Sequence, residues 1–350
     1  MDEAVRGKNG GGRPSHNRVP IVGSMPKRYV LGIVYAVMCA AIVIVLLHQN
    51  PGAAPETVRL KKICSCTLLV LIMALFTAWY DKLMVLPVEL WSSRRLIRRL
   101  AVNDFRKRYA GSYMGVIWAF VQPVVTVIMY WIVFDLVFHT RQQMVAGGMD
   151  IPYVLFLTTG LAPWFFFSEA LQSGTNSLIE YNYLVKKVVF KISILPLIKV
   201  IAALFVHLVF IVVMLVVAVC YGVYPTVYLV QLPYFTACAF MLVLSLCYTT
   251  CAVQVFFRDL SHLITILLQL FMWATPVLWD VNMVPIEYQW IVKLNPVVYI
   301  VNGYRMSLYG EEWFFEHFFT STYFWLVTAA LFVFGSLVFK RTKIHFADVL

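Results

Sequence analysis

Between Arg94 and Arg108 the chain places seven Lys or Arg in fifteen positions, and it then carries no charge until Asp135. A stretch of that density grips phosphate. Three settings provide one: a nucleic acid, a lipid surface, or the headgroups at the rim of a membrane helix. If residues 90–108 form a helix, Leu90, Leu96, Ile97, Leu100 and Ala101 share one face, while Arg94, Arg95, Arg98, Arg99 and Arg106 crowd the other. Trp91 near the start fits the headgroup level, where amphipathic rings sit. The pattern is that of a helix lying in an interface, apolar side down, with Arg stems reaching toward phosphates.

Other residues with chemical potential are sparse. Cys64 and Cys66 are two apart, but no His/Cys cluster has metal-ligand spacing, so the seven cysteines read as small apolar filler and no metal or cofactor is expected. There is no GxxxxGK[ST] loop, so the chain is not expected to bind ATP itself. Downstream of the basic stretch, Tyr113, Phe120, Tyr130, Trp131, Phe134 and Phe138 fall within about a third of a helix circumference at ~100° per residue. Sugar rings lay their C–H faces on aromatics, and a row of weak, repeated contacts lets a glycan slide. The same stripe also suits packing against neighbouring helices or an interfacial belt; in that case Phe271, Trp273 and Trp279 of a later span would line the path instead. Glu169 stands where it can pair with a cation of the basic stretch, Lys199 is long enough to reach a membrane boundary, and His207 suits a hydrogen-bonded packing role.

The elements that must position these residues follow from hydropathy. Hydrophobic residues make up 61% of the chain and charged residues 13%, an excess that one globular core cannot bury. Eight uncharged or nearly uncharged runs are long enough to span a bilayer: 29–47, 63–80, 110–134, 151–168, 192–221, 230–257, 261–279 and 318–339. The "YGVYPT" at 221–226 splits one long run into two spans. With both termini in the cytoplasm, 21 of the 28 Lys and Arg lie in inner segments and 6 in outer ones, which fixes the expected orientation. The net charge of +11 is thus a topology signal, and no nucleic-acid partner is expected. Residues 1–28, Gly-rich and polar, are expected to be a disordered cytoplasmic tail. The outer segment 280–317 reads as two short helices broken at Asn295-Pro296, too apolar for a plain loop. Arg305 in it can meet an anionic group, or pair with Glu287 or Glu311.

The segments "NDFRKRYAGSYMGVIWAFVQPVV", "GLAPWFFFSEALQSGTNSLIEYNYLVKKVVFKISILP", "VQVFFRDLSHL", "ATPVLW" and "LNPVVYIVNGYR" resemble, in that order, the ABC-2 type permeases that export O-antigen, capsule and teichoic-acid polysaccharides. The resemblance covers about residues 85–350. It implies an all-α polytopic membrane protein of the bacterial cytoplasmic membrane: a six-helix ABC-2 permease core at 85–350, preceded by two extra transmembrane helices at 29–84. It further implies a homodimer beside two copies of a separate ABC ATPase, a lipid-linked glycan cargo and contact with membrane lipids. Family likeness places the ATPase coupling contact in Asn176–Lys191, at Leu178, Ile179, Glu180, Leu184, Lys186 and Lys187, and an external gate at Asn295, Pro296 and Arg305. Two other functions are weighed: an ABC-2 permease for a small hydrophobic drug or lipid, and an integral-membrane glycosyltransferase. For the latter, the outer acids Asp150, Glu287 and Glu311-Glu312 form no DxD or ExD motif.

Overall fold

Prolines and glycines punctuate the chain where its apolar runs start and stop. The computed structural model describes residues 27–47, part of 58–80, 84–138, 143–144, 150–186, 191–310 and 312–350. The expected disorder before residue 27, and the readings that fall on Cys64, Lys187 and Glu311, lie outside those residues. The chain divides after Tyr80 into two compact units. In the first, α1 (Lys27–Leu47) is joined to helical residues further on by a Tyr35 to Thr77 hydroxyl hydrogen bond of 2.7 Å and by Lys62 Nζ donating to the Leu46 carbonyl at 2.7 Å.

The second unit opens with α2 (Val85–Ser92) and α3 (Arg94–Arg108), followed by α4 (Trp118–Tyr130), which continues as a π-helix over Trp131–Val137. A two-residue antiparallel ladder, β1 (Gln143–Met144) with β2 (Asp150–Ile151), precedes α5 (Tyr153–Glu180) and the single turn α6 (Asn182–Val185). Then come α7 (Leu195–Cys220), α8 (Leu232–Gln254), α9 (Leu260–Ala274), α10 (Gln289–Lys293), α11 (Pro296–Tyr309), α12 (Phe318–Thr342) and α13 (Phe346–Val349). Pro near the first position of α7, α8 and α11 costs no hydrogen bond there and sets the φ angle a helix needs. Gly222 at φ +78° makes the turn that separates α7 from α8, as "YGVYPT" predicts.

Among the described residues, five helical stretches are long and apolar enough to cross a membrane: Gly115–Val137, Tyr153–Glu180, Ile192–Cys220, Val227–Gln254 and Phe318–His345. This is an all-α polytopic membrane protein. Helix α5 is its axis, packed by α7, α8 and α11, while α4 and α12 leave most of their apolar surface open. Three predicted boundaries change. The helix expected over 90–108 breaks at Ser93 into α2 and α3. The third span begins at Gly115 instead of Ala110, because Gly111 and Gly115 take positive φ and turn the chain between them. The seventh span ends at Ala274; fifteen residues reach ~22 Å, short of the ~30 Å of hydrocarbon. Extended backbone at Thr275 carries the chain onward from there.

Candidate functional site

Two ends of the second unit hold the polar groups, and each is built differently. At one end lies α3. Its Arg94, Arg95, Arg98 and Arg99 are all exposed, with the Arg94 guanidinium 5.5 Å from the Trp91 ring centre. Ile97 and Ala101 are its buried residues, whereas Leu96, expected on the apolar face, is exposed. Three cations close α3 (Arg106, Lys107 and Arg108), where the negative end of the helix dipole favours them.

Asp104, the lone acid among those cations, had no role in the sequence reading and turns out to be central. Its carboxylate accepts from Lys199 Nζ of α7 at 2.9 Å and from the Tyr181 hydroxyl just beyond α5. Lys199 also pairs with Glu180 at 2.6 Å and lies 5.0 Å from the Tyr181 ring centre. At 7% exposure, Lys199 does not reach into water as expected; it is tied to two carboxylates. Burial and the Asp104 carboxylate raise the Tyr181 phenol well above its usual range. One turn after Asp104, Arg108 forms an ion pair with Glu169 of α5, the partner expected for that acid. Burial alone would lower the Arg108 pKa, but Glu169 outweighs it and the net shift is upward. This pair closes one side of a cleft of about 450 Å³ walled by Tyr109, Trp118, Val121, Val125 and Val206. Nearby, Lys191 Nζ donates to Ser92 at 3.1 Å and Ser193 to Glu89 at 2.9 Å, fastening α2 to the start of α7.

The segment expected to form a coupling loop is different in kind. Helix α5 runs on to Glu180, and Leu178 is fully buried with Val185 beside it, while Leu184 is half-buried against the same core. Leu178 therefore supports the segment from beneath and offers no docking surface, whereas Leu184 is only partly covered. Ile179 is half-buried; Glu180, Tyr183 and Lys186 are exposed.

The aromatic stripe is divided by the turn at Gly115 and by the π-helix, whose wider turn breaks the ~100° spacing assumed for it. Tyr113 is fully exposed on the turn, off the helix. Phe120, Trp131 and Phe138 are exposed, whereas Tyr130 and Phe134 are half-buried and pack on the core. The rings continue as a ladder: Tyr130 on Phe134 at 6.0 Å, Phe134 with Phe138 at 5.9 Å and with Tyr153 at 4.9 Å, then Tyr153 on Phe156 at 6.1 Å. On α9, Phe271 and Trp273 are exposed, and Trp279 donates its indole N–H to the Trp273 carbonyl.

That ladder leads to the other end of the unit. The Arg305 guanidinium of α11 lies 3.7 Å from the Phe156 ring centre and donates to the Val277 carbonyl at 2.9 Å. It is 7% exposed, so it meets neither Glu287 nor solvent. Asn295 caps α11, accepting from Val297 N at 3.0 Å, and its amide donates to Thr275 at 2.8 Å; Tyr153 donates to the Leu278 carbonyl at 2.8 Å. Three side chains thus grip the turn that follows α9. The fit is close: a Cβ on Gly160 would lie 2.6 Å from the Val277 carbonyl, and one on Gly303 about 2.1 Å from the Phe235 ring. The two short helices broken at Asn295-Pro296 are present as α10 and α11, and α11 is almost wholly buried. His207 hydrogen-bonds Tyr304 at 2.7 Å and stacks on Phe166, the packing role expected. Among the described residues no group of three or more His, Cys, Asp or Glu is placed to hold a metal.

Known proteins match this chain in sequence. The family model described as ABC-2 type transporter matches residues 95–309, from the start of α3 to the end of α11. An "O-antigen export system permease protein RfbA" of Myxococcus xanthus is 30% identical over 226 residues, covering 64% of this chain and 84% of the relative. Two proteins of the same name from Klebsiella pneumoniae are 28% and 26% identical over 252 and 250 residues, each covering 71% of this chain and 92% of the relative. With four of its five apolar spans, nearly all of its Arg-rich helix α3 and the buried α11 inside the matched region, the chain belongs to the ABC-2 type transporter family.

Proposed function

We propose that the chain is the membrane-spanning subunit of an ATP-driven exporter that carries a lipid-linked polysaccharide of the O-antigen, capsule or teichoic-acid type across the bacterial cytoplasmic membrane. The observation that carries this reading is the likeness to three O-antigen export permeases, of which this chain covers 84–92%. In this reading two copies work beside two copies of a separate ABC ATPase, both termini face the cytoplasm, and the α3 end is the cytoplasmic one. The exposed Glu180, Tyr183 and Lys186, with Ile179, form the ATPase contact, and the Arg row of α3 rests on lipid phosphates. Exposed rings of Tyr113, Phe120, Trp131, Phe138, Phe271 and Trp273 offer a glycan many weak contacts, as conduction requires. Asn295, Pro296 and Arg305 hold the far end shut.

The test is to purify the chain with the ATPase it brings from its own cells and to measure ATP hydrolysis in lipid vesicles. Lipid-linked glycan should stimulate hydrolysis, and the Trp131→Ala, Phe138→Ala and Phe271→Ala triple variant should lose that response while basal hydrolysis persists. Stimulation by a hydrophobic drug and not by glycan would overturn the assignment of cargo.

A further inference from the structure

Helix α3 is seated on α7 by a narrow apolar stripe, with Ile97 and Ala101 buried, Leu100 against the core and Phe105 5.5 Å from Phe205. Polar ties add to that stripe, and they converge on one ammonium. Lys199 is the one charge within α7; a cation at such depth is costly and persists where it has work to perform. From α7 it donates both to Asp104 of α3 and to Glu180, the last residue of α5, so three elements meet at a single nitrogen. Bonds of 2.9 and 2.6 Å between charged groups weaken steeply as their partners separate. A shift of the last turn of α5 against α7 must either stretch the Glu180 bond or draw Lys199, and with it Asp104, along. One turn along α3, Arg108 holds Glu169 and closes the cleft.

We propose that Lys199 is a positioning residue for transport: by holding Asp104 and Glu180 at once, it makes the seating of α3, and through Arg108–Glu169 the closure of the cleft, follow the last turn of α5. The link to export rests on the transporter reading above; the link to the cleft does not, and the two are measured separately.

A cysteine at Val206, which lines the cleft, reports its opening, because a thiol reacts as the thiolate and so reacts faster once water enters. Labelling by N-ethylmaleimide is counted above that of the parent chain with its native cysteines. Two variants avoid leaving a buried charge unpaired: the Lys199→Met/Asp104→Asn pair, and Glu180→Gln, whose carboxylate is half-exposed. Both should stay in the membrane at parental abundance, label about tenfold faster and export less by a similar factor, the usual size of such a coupling. Parental labelling in both variants would overturn the proposal. Faster labelling with undiminished export would overturn the part that concerns transport, whereas a failure of the glycan reading alone would leave the labelling result standing.

Discussion

At the α3 end each cation built into the packing faces a carboxylate from another element: Lys199 faces Asp104 and Glu180, and Arg108 faces Glu169. At the α11 end Arg305 is as buried as Lys199, yet among the described residues no carboxylate pairs with it. It rests on a ring face and a backbone carbonyl, amid close packing against Gly160. The two ends solve one problem, charge at membrane depth, in opposite ways. Ion pairs joining separate helices can part and re-form as the helices move. A guanidinium fixed on a ring and a carbonyl holds one geometry, which suits a closed end.

The same kind of substitution should therefore have unequal effects. Lys199→Met leaves Asp104 buried beside the Tyr181 hydroxyl without its cation, and breaking a buried pair in this way costs about 3–5 kcal/mol. Thermal unfolding in detergent should show it as the largest loss of the series, and adding Asp104→Asn should recover most of it. Arg305→Met leaves no ion-paired carboxylate behind, only the Val277 carbonyl and the Tyr309 hydroxyl without their Arg305 partner, so the expected loss is about 1–2 kcal/mol. A loss at Arg305 as large as that at Lys199 would erase the distinction between the two ends. Arg108→Gln should be mildest in stability, below ~1 kcal/mol, because about a third of each partner's side chain is open to solvent. Its effect belongs to the cleft.

Much of this was legible in the sequence, and the reasons are physical. Uncharged runs and their Pro and Gly punctuation located the five crossings seen among the described residues, because lipid leaves a backbone few options besides a helix. The pairing of Glu169 with the basic stretch followed from charge and position. Contacts made only by tertiary packing were hidden. Asp104 looked like one acid among seven cations, and its place four residues before Arg108 was the sole hint of a shared face. Leu178 was expected at the coupling contact because nothing in the sequence signals that α5 continues to Glu180 and buries it. The aromatic stripe assumed one regular helix, which two positive-φ glycines and a π-helix deny. Arg305 looked ready for an anion, and only the fold shows its ring and carbonyl partners.

The account stands or falls on cargo, and the most direct measurement is the fate of surface polysaccharide when this chain is removed from its own cells. Deleting it while leaving polymer synthesis intact should abolish labelling of the cell surface by a glycan-binding probe. It should also leave polymer accumulating in the cytoplasm, visible by electron microscopy, and restoring the chain should reverse both changes. Surface polysaccharide that stays at the parental level, with none retained inside, would contradict the assignment.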